Sequence, residues 1–218
     1  MGDATCGDGL RVGDELLAPL AGLAGSRGLG CPAPGFAGAA SGGRADRLAE
    51  GVAGQHVCSG KKGGAETGPN PTDRGKPGTK RHLVTDARGT PLGLTLSGAN
   101  RHDSTALTAT LDAIPPIRTG HRGRSRRRPG KLHADKAYDH RRCRRECRAR
   151  GITPRIARRG IESSARLGRH RWVVERTFAW LARYRRLTIR YERRADIHLA
   201  FTTLACALIC LRQIRRFC

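Results

Sequence analysis

Basic residues outnumber acidic ones by 26 over residues 61–218, whereas residues 1–60 carry a net charge of −2. At that density, self-repulsion destabilises a compact chain unless a polyanion shares its surface. With a sequence pI near 11.3, the partner implied is a nucleic acid rather than an acidic small molecule. A membrane span is not expected, because the longest apolar stretch, Leu199–Leu211, has 13 residues and a span needs roughly 20. The N-terminus MGDATCGDGLRVGDELL has acids where a signal peptide carries basic residues. The expected location is therefore the cytoplasm, alongside the nucleoid, where the eight cysteines stay reduced.

The chain divides into two unequal parts. Residues 1–60 hold 15 of the 29 glycines, and GLGCPAPGFAGAASGGRADRLAEG shows neither helical nor strand periodicity. Such text cannot bury enough apolar surface to offset ordering entropy. Residues 1–50 are thus expected to be largely disordered, apart from a short helix over Asp14–Leu23 that Pro19 interrupts. Residues 51–218 form the expected domain.

Within it, Lys80–Asp86 and Leu92–Ser97 read as a hairpin across the turn Ala87–Pro91. Asp103 or Ser104 caps a helix that Pro115-Pro116 stops, and Lys131–Asp135 is a strand ending on an acid. Arg141–Arg150 is a helix ended by Gly151, Thr153–Ala157 a further strand, and Arg169–Arg186 and Asp196–Arg216 are helices. The last is apolar on most sides and expected to be buried. The order β-β-α-β-α-β-α-α predicts a mixed α/β fold layered around one sheet.

Acids are scarce in this basic part, so each is informative. Asp135 in KLHADKAYD would project from a strand end, and Glu175 in RWVVERTFAW lies on a helix forty residues later. Two carboxylates on separate elements suit a divalent-metal phosphoryl-transfer site. The plainer alternative has Asp135 pairing with Lys136 or capping a turn, and Glu175 forming an i−4 pair with Arg171. The cysteines include no CxxC pair. Cys143/Cys147 and Cys206/Cys210 are spaced to share helix faces, as buried small hydrophobes do. His82, His102 and His133 show no zinc-type spacing, and Trp172, Trp180 and Tyr184 read as packing residues.

The words GPNPTDRGKPGTKRHLVTDARGTPL, ANRHDS, LHADKAYD, GITPRIARRG and LGRHRWVVERTFAWLARYRRLTIRYERRADIHLAF follow one another in order. Together they closely resemble bacterial insertion-sequence transposases of the DDE type, in the IS-five-like branch of the IS-four group, over about residues 52–218. The resemblance implies a ribonuclease-H-like fold, a mixed sheet flanked by helices, in which three acids bind Mg²⁺ or Mn²⁺ for DNA cleavage and strand transfer. It makes Asp135 the second acid, Glu175 the third, and Arg171 the Arg of the family's Y-R-E-K signature. The signature's Tyr falls at Gly168, and its basic residue falls near Ala182 or Arg183. The first acid, in a V-D-G-S-H-V word, falls at Ala53 of Val52-Ala53-Gly54-Gln55-His56-Val57. The family's basic N-terminal DNA-binding region also has no match in residues 1–50. The resemblance thus points to a degenerate transposase, truncated at its N-terminus and a homo-oligomer when assembled on DNA. The alternative is a non-catalytic DNA-binding remnant. A third reading, an Arg-rich structural nucleic-acid binder, conflicts with the ordered motif words.

The DNA-binding candidates lie in two runs. Arg118, Arg122, Arg124, Arg126, Arg127, Arg128 and Lys131 form the first, and Arg141, Arg142, Arg144 and Arg145 the second. They are expected to track a phosphate backbone without reading sequence.

Overall fold

In the computed structural model, which describes residues 48–117, 125–161 and 164–215, the centre of the sheet is a strand that has little strand character in its sequence. This strand, β1 (Glu50–Ser59), is followed by β2 (Gly68–Pro69), β3 (Pro77–Asp86) and β4 (Pro91–Gly98). Then come α1 (Asp103–Asp112), β5 (Lys131–Ala134), a 3₁₀ turn (Lys136–Tyr138), α2 (Arg141–Ala149) and β6 (Thr153–Ile156). The C-terminal helices are α3 (Ser164–Ala182), the one-turn α4 (Arg185–Thr188) and α5 (Ala195–Arg215).

The long strands run in the order β4-β3-β1-β5-β6, with β2 beside the start of β3. β1 pairs antiparallel to β3, from Gly51↔Asp86 to Ser59↔Gly78, and parallel to β5, with Val52 opposite His133. β5 is in turn parallel to β6. An antiparallel hairpin on one flank and parallel strands on the other give the ribonuclease-H-like sheet that the resemblance implies.

The period-two rule sorts side chains to the two faces. Ala53, Val84, Leu132 and Ala134 point to one core with Leu107 and Leu111 of α1 and Cys143 and Cys147 of α2. Val52, Leu83 and Leu94 point to the other, against Val173, Val174 and Phe178 of α3 and Cys206 and Ile209 of α5. The result is three layers, helix–sheet–helix. Burial pushes the Cys147 thiol up to about 11, so it stays protonated. Cys143, Cys147 and Cys206 thus contribute to the packed layers as small hydrophobes, whereas Cys210 is only partly buried.

Several expectations need correction. The strand β1 is absent from the sequence-based order because Gly51, Ala53 and Gly54 lack the β-branched bulk that marks strands. Among the described residues Leu48 is already fully buried, and Glu50 opens β1. The reading of residues 1–47, including the Asp14–Leu23 helix, falls outside the described residues.

His102, not Asp103 or Ser104, caps α1, its ring accepting from the Ser104 N–H, because Lys80 draws the Asp103 carboxylate to 2.8 Å. The helix expected over Arg169–Arg186 starts at Ser164 and stops at Ala182, and Gly151 ends α2 with a φ of 68° as expected. Trp172 is half-exposed beneath the Arg176 guanidinium, 4.3 Å from its ring centroid, rather than in the core.

α5 has the length and apolarity of a membrane span. Its inner face, with His198, Thr202, Cys206 and Ile209, nevertheless packs against the sheet layer. Its outer face is not buried as expected, because no element covers Ile197, Phe201, Leu204 and Leu208 among the described residues.

Candidate active site

Asp135 stands one residue beyond the end of β5, where the parallel strand opens its C-terminal edge. One carboxylate oxygen accepts the Lys136 N–H and so caps the 3₁₀ turn. The other lies 3.2 Å from Arg171 Nη1. Arg171 Nε in turn sits 2.9 Å from Glu175 Oε1, one helical turn along α3. Both plainer contacts, the turn cap and the i−4 pair, are therefore present. They occur together with convergence: one guanidinium holds a strand-end carboxylate and a helix carboxylate against the same cleft.

Glycine makes this approach possible. A Cβ at Gly54 would lie 2.7 Å from Val174 Cγ1, so only a residue without a side chain lets α3 seat this closely on β1. His56 and Phe178 stack next to that contact at 5.4 Å. Glu175, the neighbour of Val174, is thereby brought to the rim of the cleft while its side chain stays largely exposed.

Two adjoining clefts, of about 410 and 360 Å³, share Ala53, Asp135 and Arg171 in their walls. Ala53 thus borders both clefts beside the carboxylate pair, while its methyl group packs into the core with Val84 and Leu132. Two hard oxygen donors fit one divalent cation that keeps several waters, as Mg²⁺ does. They are one carboxylate short of the set the resemblance implies.

The structure places the DNA-binding candidates unevenly. Arg118, Arg122 and Arg124 lie outside the described residues. Arg126, Arg127, Arg128 and Lys131 are exposed, the Arg126 backbone pairing with Ile117 and Lys131 lying 3.7 Å from Glu50. Arg141, Arg142 and Arg145 are exposed on α2 and, with Arg148, line a shallow groove. Arg144 differs: it bonds Asp139 at 2.7 Å and the Ile156 carbonyl at 3.0 Å, tying α2 to β6.

Residues not singled out from the sequence complete the cleft. Arg155 and Arg158 line the larger cleft with His170, opposite Asp135. Their signal was present in GITPRIARRG, where Arg155 alternates with the buried Ile156 along a strand. Gly54 and His170 carried no comparable signal, because their importance comes from the packing of α3.

A family model described as a transposase DDE domain matches residues 54–210. The putative transposase for insertion sequence element IS402 of Burkholderia cepacia is 52% identical over 207 residues, covering 95% of this chain and 98% of that protein. That match takes in most of the segment before Leu48. A chain of the simian T-cell lymphotropic virus intasome, in complex with PP2A regulatory subunit B56 gamma, matches at 16% identity and a TM-score of 0.46. The match covers 72% of this chain and 47% of that one. The catalytic core domain of BIV integrase matches at 11% identity and a TM-score of 0.38, over 75% of this chain and 82% of that one.

Proposed function

The chain belongs to the DDE transposase family of insertion sequences, and on that premise we propose that Asp135, Arg171 and Glu175 form its catalytic centre, with Ala53 in the place of the first acid. The observation that carries this reading is the single guanidinium bridging carboxylates of β5's end and α3. Asp135 and Glu175 would hold Mg²⁺ or Mn²⁺. When bound, the ion stabilises the charge that develops on the phosphate oxygens during an in-line displacement.

The chain's own residues do the rest. The Lys136 N–H orients the Asp135 carboxylate, and Arg171 keeps two like charges at one cleft in the absence of a cation. The exposed arginines beside the cleft hold the DNA backbone. Because two element ends must be joined for strand transfer, the working form on DNA is a homo-oligomer, in the cytoplasm at the nucleoid.

In a background that cleaves, Glu175→Gln abolishes metal-dependent cleavage and leaves DNA affinity within about twofold, since the change removes a cation ligand and no phosphate contact. Cleavage of end-labelled duplex and a filter-binding titration on the same preparations check this. An equal loss of binding assigns Glu175 a structural role instead.

Ala53 favours a second reading, a DNA binder without catalysis. The two readings differ in metal-dependent nicking, which only the first produces. Both share the basic surface, so both predict affinity that falls steeply with salt. Arg141→Gln combined with Arg145→Gln is expected to flatten the slope of log K against log[salt] by about 1.8, at roughly 0.9 per phosphate contact. An unchanged slope places the DNA elsewhere.

A further inference from the structure

We propose that Glu50, His133 and His170 form a binding site for a borderline transition metal, Zn²⁺ foremost, separate from the Asp135–Glu175 carboxylates. Their ligand atoms all lie within 4.8 Å of one another. Each comes from a different element: Glu50 opens β1, His133 lies on the adjacent β5, and His170 lies on α3. These are the same elements that carry Ala53, Asp135 and Glu175, so the site lies one step back along them.

The side chains are poised for such an ion. His133 Nε2 is shielded from solvent and has no hydrogen-bond partner, a cost that a buried nitrogen normally avoids. It points toward Glu50 Oε2 at 4.0 Å. The His133 and His170 rings stack at 4.0 Å and 16°. Tetrahedral Zn²⁺ with Zn–N and Zn–O distances of about 2.0–2.1 Å needs ligand atoms roughly 3.4 Å apart. Side-chain rotation of Glu50 and His170, neither of them buried, closes that difference. Water takes the fourth position, as in other sites with two His and one Glu.

The surroundings select against a hard cation. Lys131 lies 3.7 Å from Glu50, and Arg155 adds positive charge near His133. Mg²⁺, held mainly by charge on oxygen ligands, gains little here. Imidazole nitrogens favour Zn²⁺, Co²⁺ or Ni²⁺. An ion at this point ties β1, β5 and α3 together one residue before Arg171, and so braces the helix that presents Glu175.

The test uses the full chain, stripped with a chelator and titrated with Zn²⁺ by calorimetry and with Co²⁺ by visible absorption. One equivalent is expected to bind and to raise the melting temperature. His170→Ala and His133→Gln are each expected to weaken binding by about 10²-fold or more, a ligand counting for at least as much as its outer-shell partners. Asp135→Asn with Glu175→Gln leaves Zn²⁺ binding unchanged, and excess Mg²⁺ does not displace the ion. The proposal is overturned if both histidine variants bind as the parent does, or if the carboxylate double variant loses the ion. It is equally overturned if the Co²⁺ spectrum shows intense thiolate-to-cobalt bands, which would assign binding to the cysteines. Should His133→Gln fail to fold, His170→Ala decides alone, because His170 is not part of the core.

Discussion

Replacing Ala53 by Asp is expected to raise Mg²⁺-dependent DNA cleavage by about 10²–10³-fold, from a parent that is nearly inert. A cation's charge stabilisation contributes several kcal/mol to such a transition state, at 1.36 kcal/mol per decade. Ala53 borders both clefts beside Asp135 and Arg171. A carboxylate there is the third anion around a point where Arg171 already compensates two. The added negative charge makes the pocket one that a dication neutralises. Ala53 is itself buried against Val84, Leu132 and Ala134, so the new carboxylate must turn from that core toward the cleft, and the variant is expected to lose stability as it gains activity. Cleavage of a supercoiled plasmid with and without Mg²⁺ measures the gain. A variant that binds DNA and stays inert shows that Ala53 is not the only defect.

The largest expected effect on stability concerns a residue remote from the cleft. Arg190→Ala is expected to cost on the order of 3–5 kcal/mol, a large share of the 5–15 kcal/mol that holds a typical domain together. Arg190 is fully buried. Its guanidinium donates to the Thr79 hydroxyl at 2.7 Å and to the carbonyls of Ala65, Glu66, Glu192 and Arg193 at 2.7–3.1 Å. It therefore joins the segment after β1, strand β3 and the approach to α5. Truncation takes a donor from four carbonyls, of which the Glu66 carbonyl keeps the Thr79 hydroxyl, and opens a cavity, and both effects add. Urea unfolding followed by circular dichroism reads the loss. A change under about 1 kcal/mol would mean that water replaces the guanidinium, contrary to the packing described.

Much of this was legible in the sequence wherever a pattern was local. The hairpin Lys80–Ser97, the Gly151 stop and the acid ending KLHAD follow from turn chemistry and residue type. β1 was not legible as a strand, although it is the central one. Its Gly51 and Gly54 are small because Pro129 and α3 press against them, and that pressure exists only in the assembled fold. The charge excess was read as a DNA surface, and most of it does lie exposed. Arg190 and Arg81 are exceptions. Arg81 is buried with its guanidinium against the Leu187 carbonyl and His198. Composition cannot separate such structural cations from phosphate-binding ones, because burial is a property of the neighbours. His133 showed no metal-like spacing along the chain, yet sheet register and helix docking set it beside Glu50 and His170. The outer face of α5 misled in the opposite direction, since apolar residues on all sides do not reveal which side the sheet takes.

The central claim is that Asp135 and Glu175 are two parts of a cation site whose third part was lost at Ala53. It is tested most directly by crystals of the Ala53→Asp variant soaked in Mn²⁺, with the ion located by anomalous diffraction. The account predicts an ion within coordination distance of the introduced carboxylate and Asp135, with Glu175 turned from Arg171 toward it. Mn²⁺ absent from that cleft, with both carboxylates still held by Arg171, would contradict it.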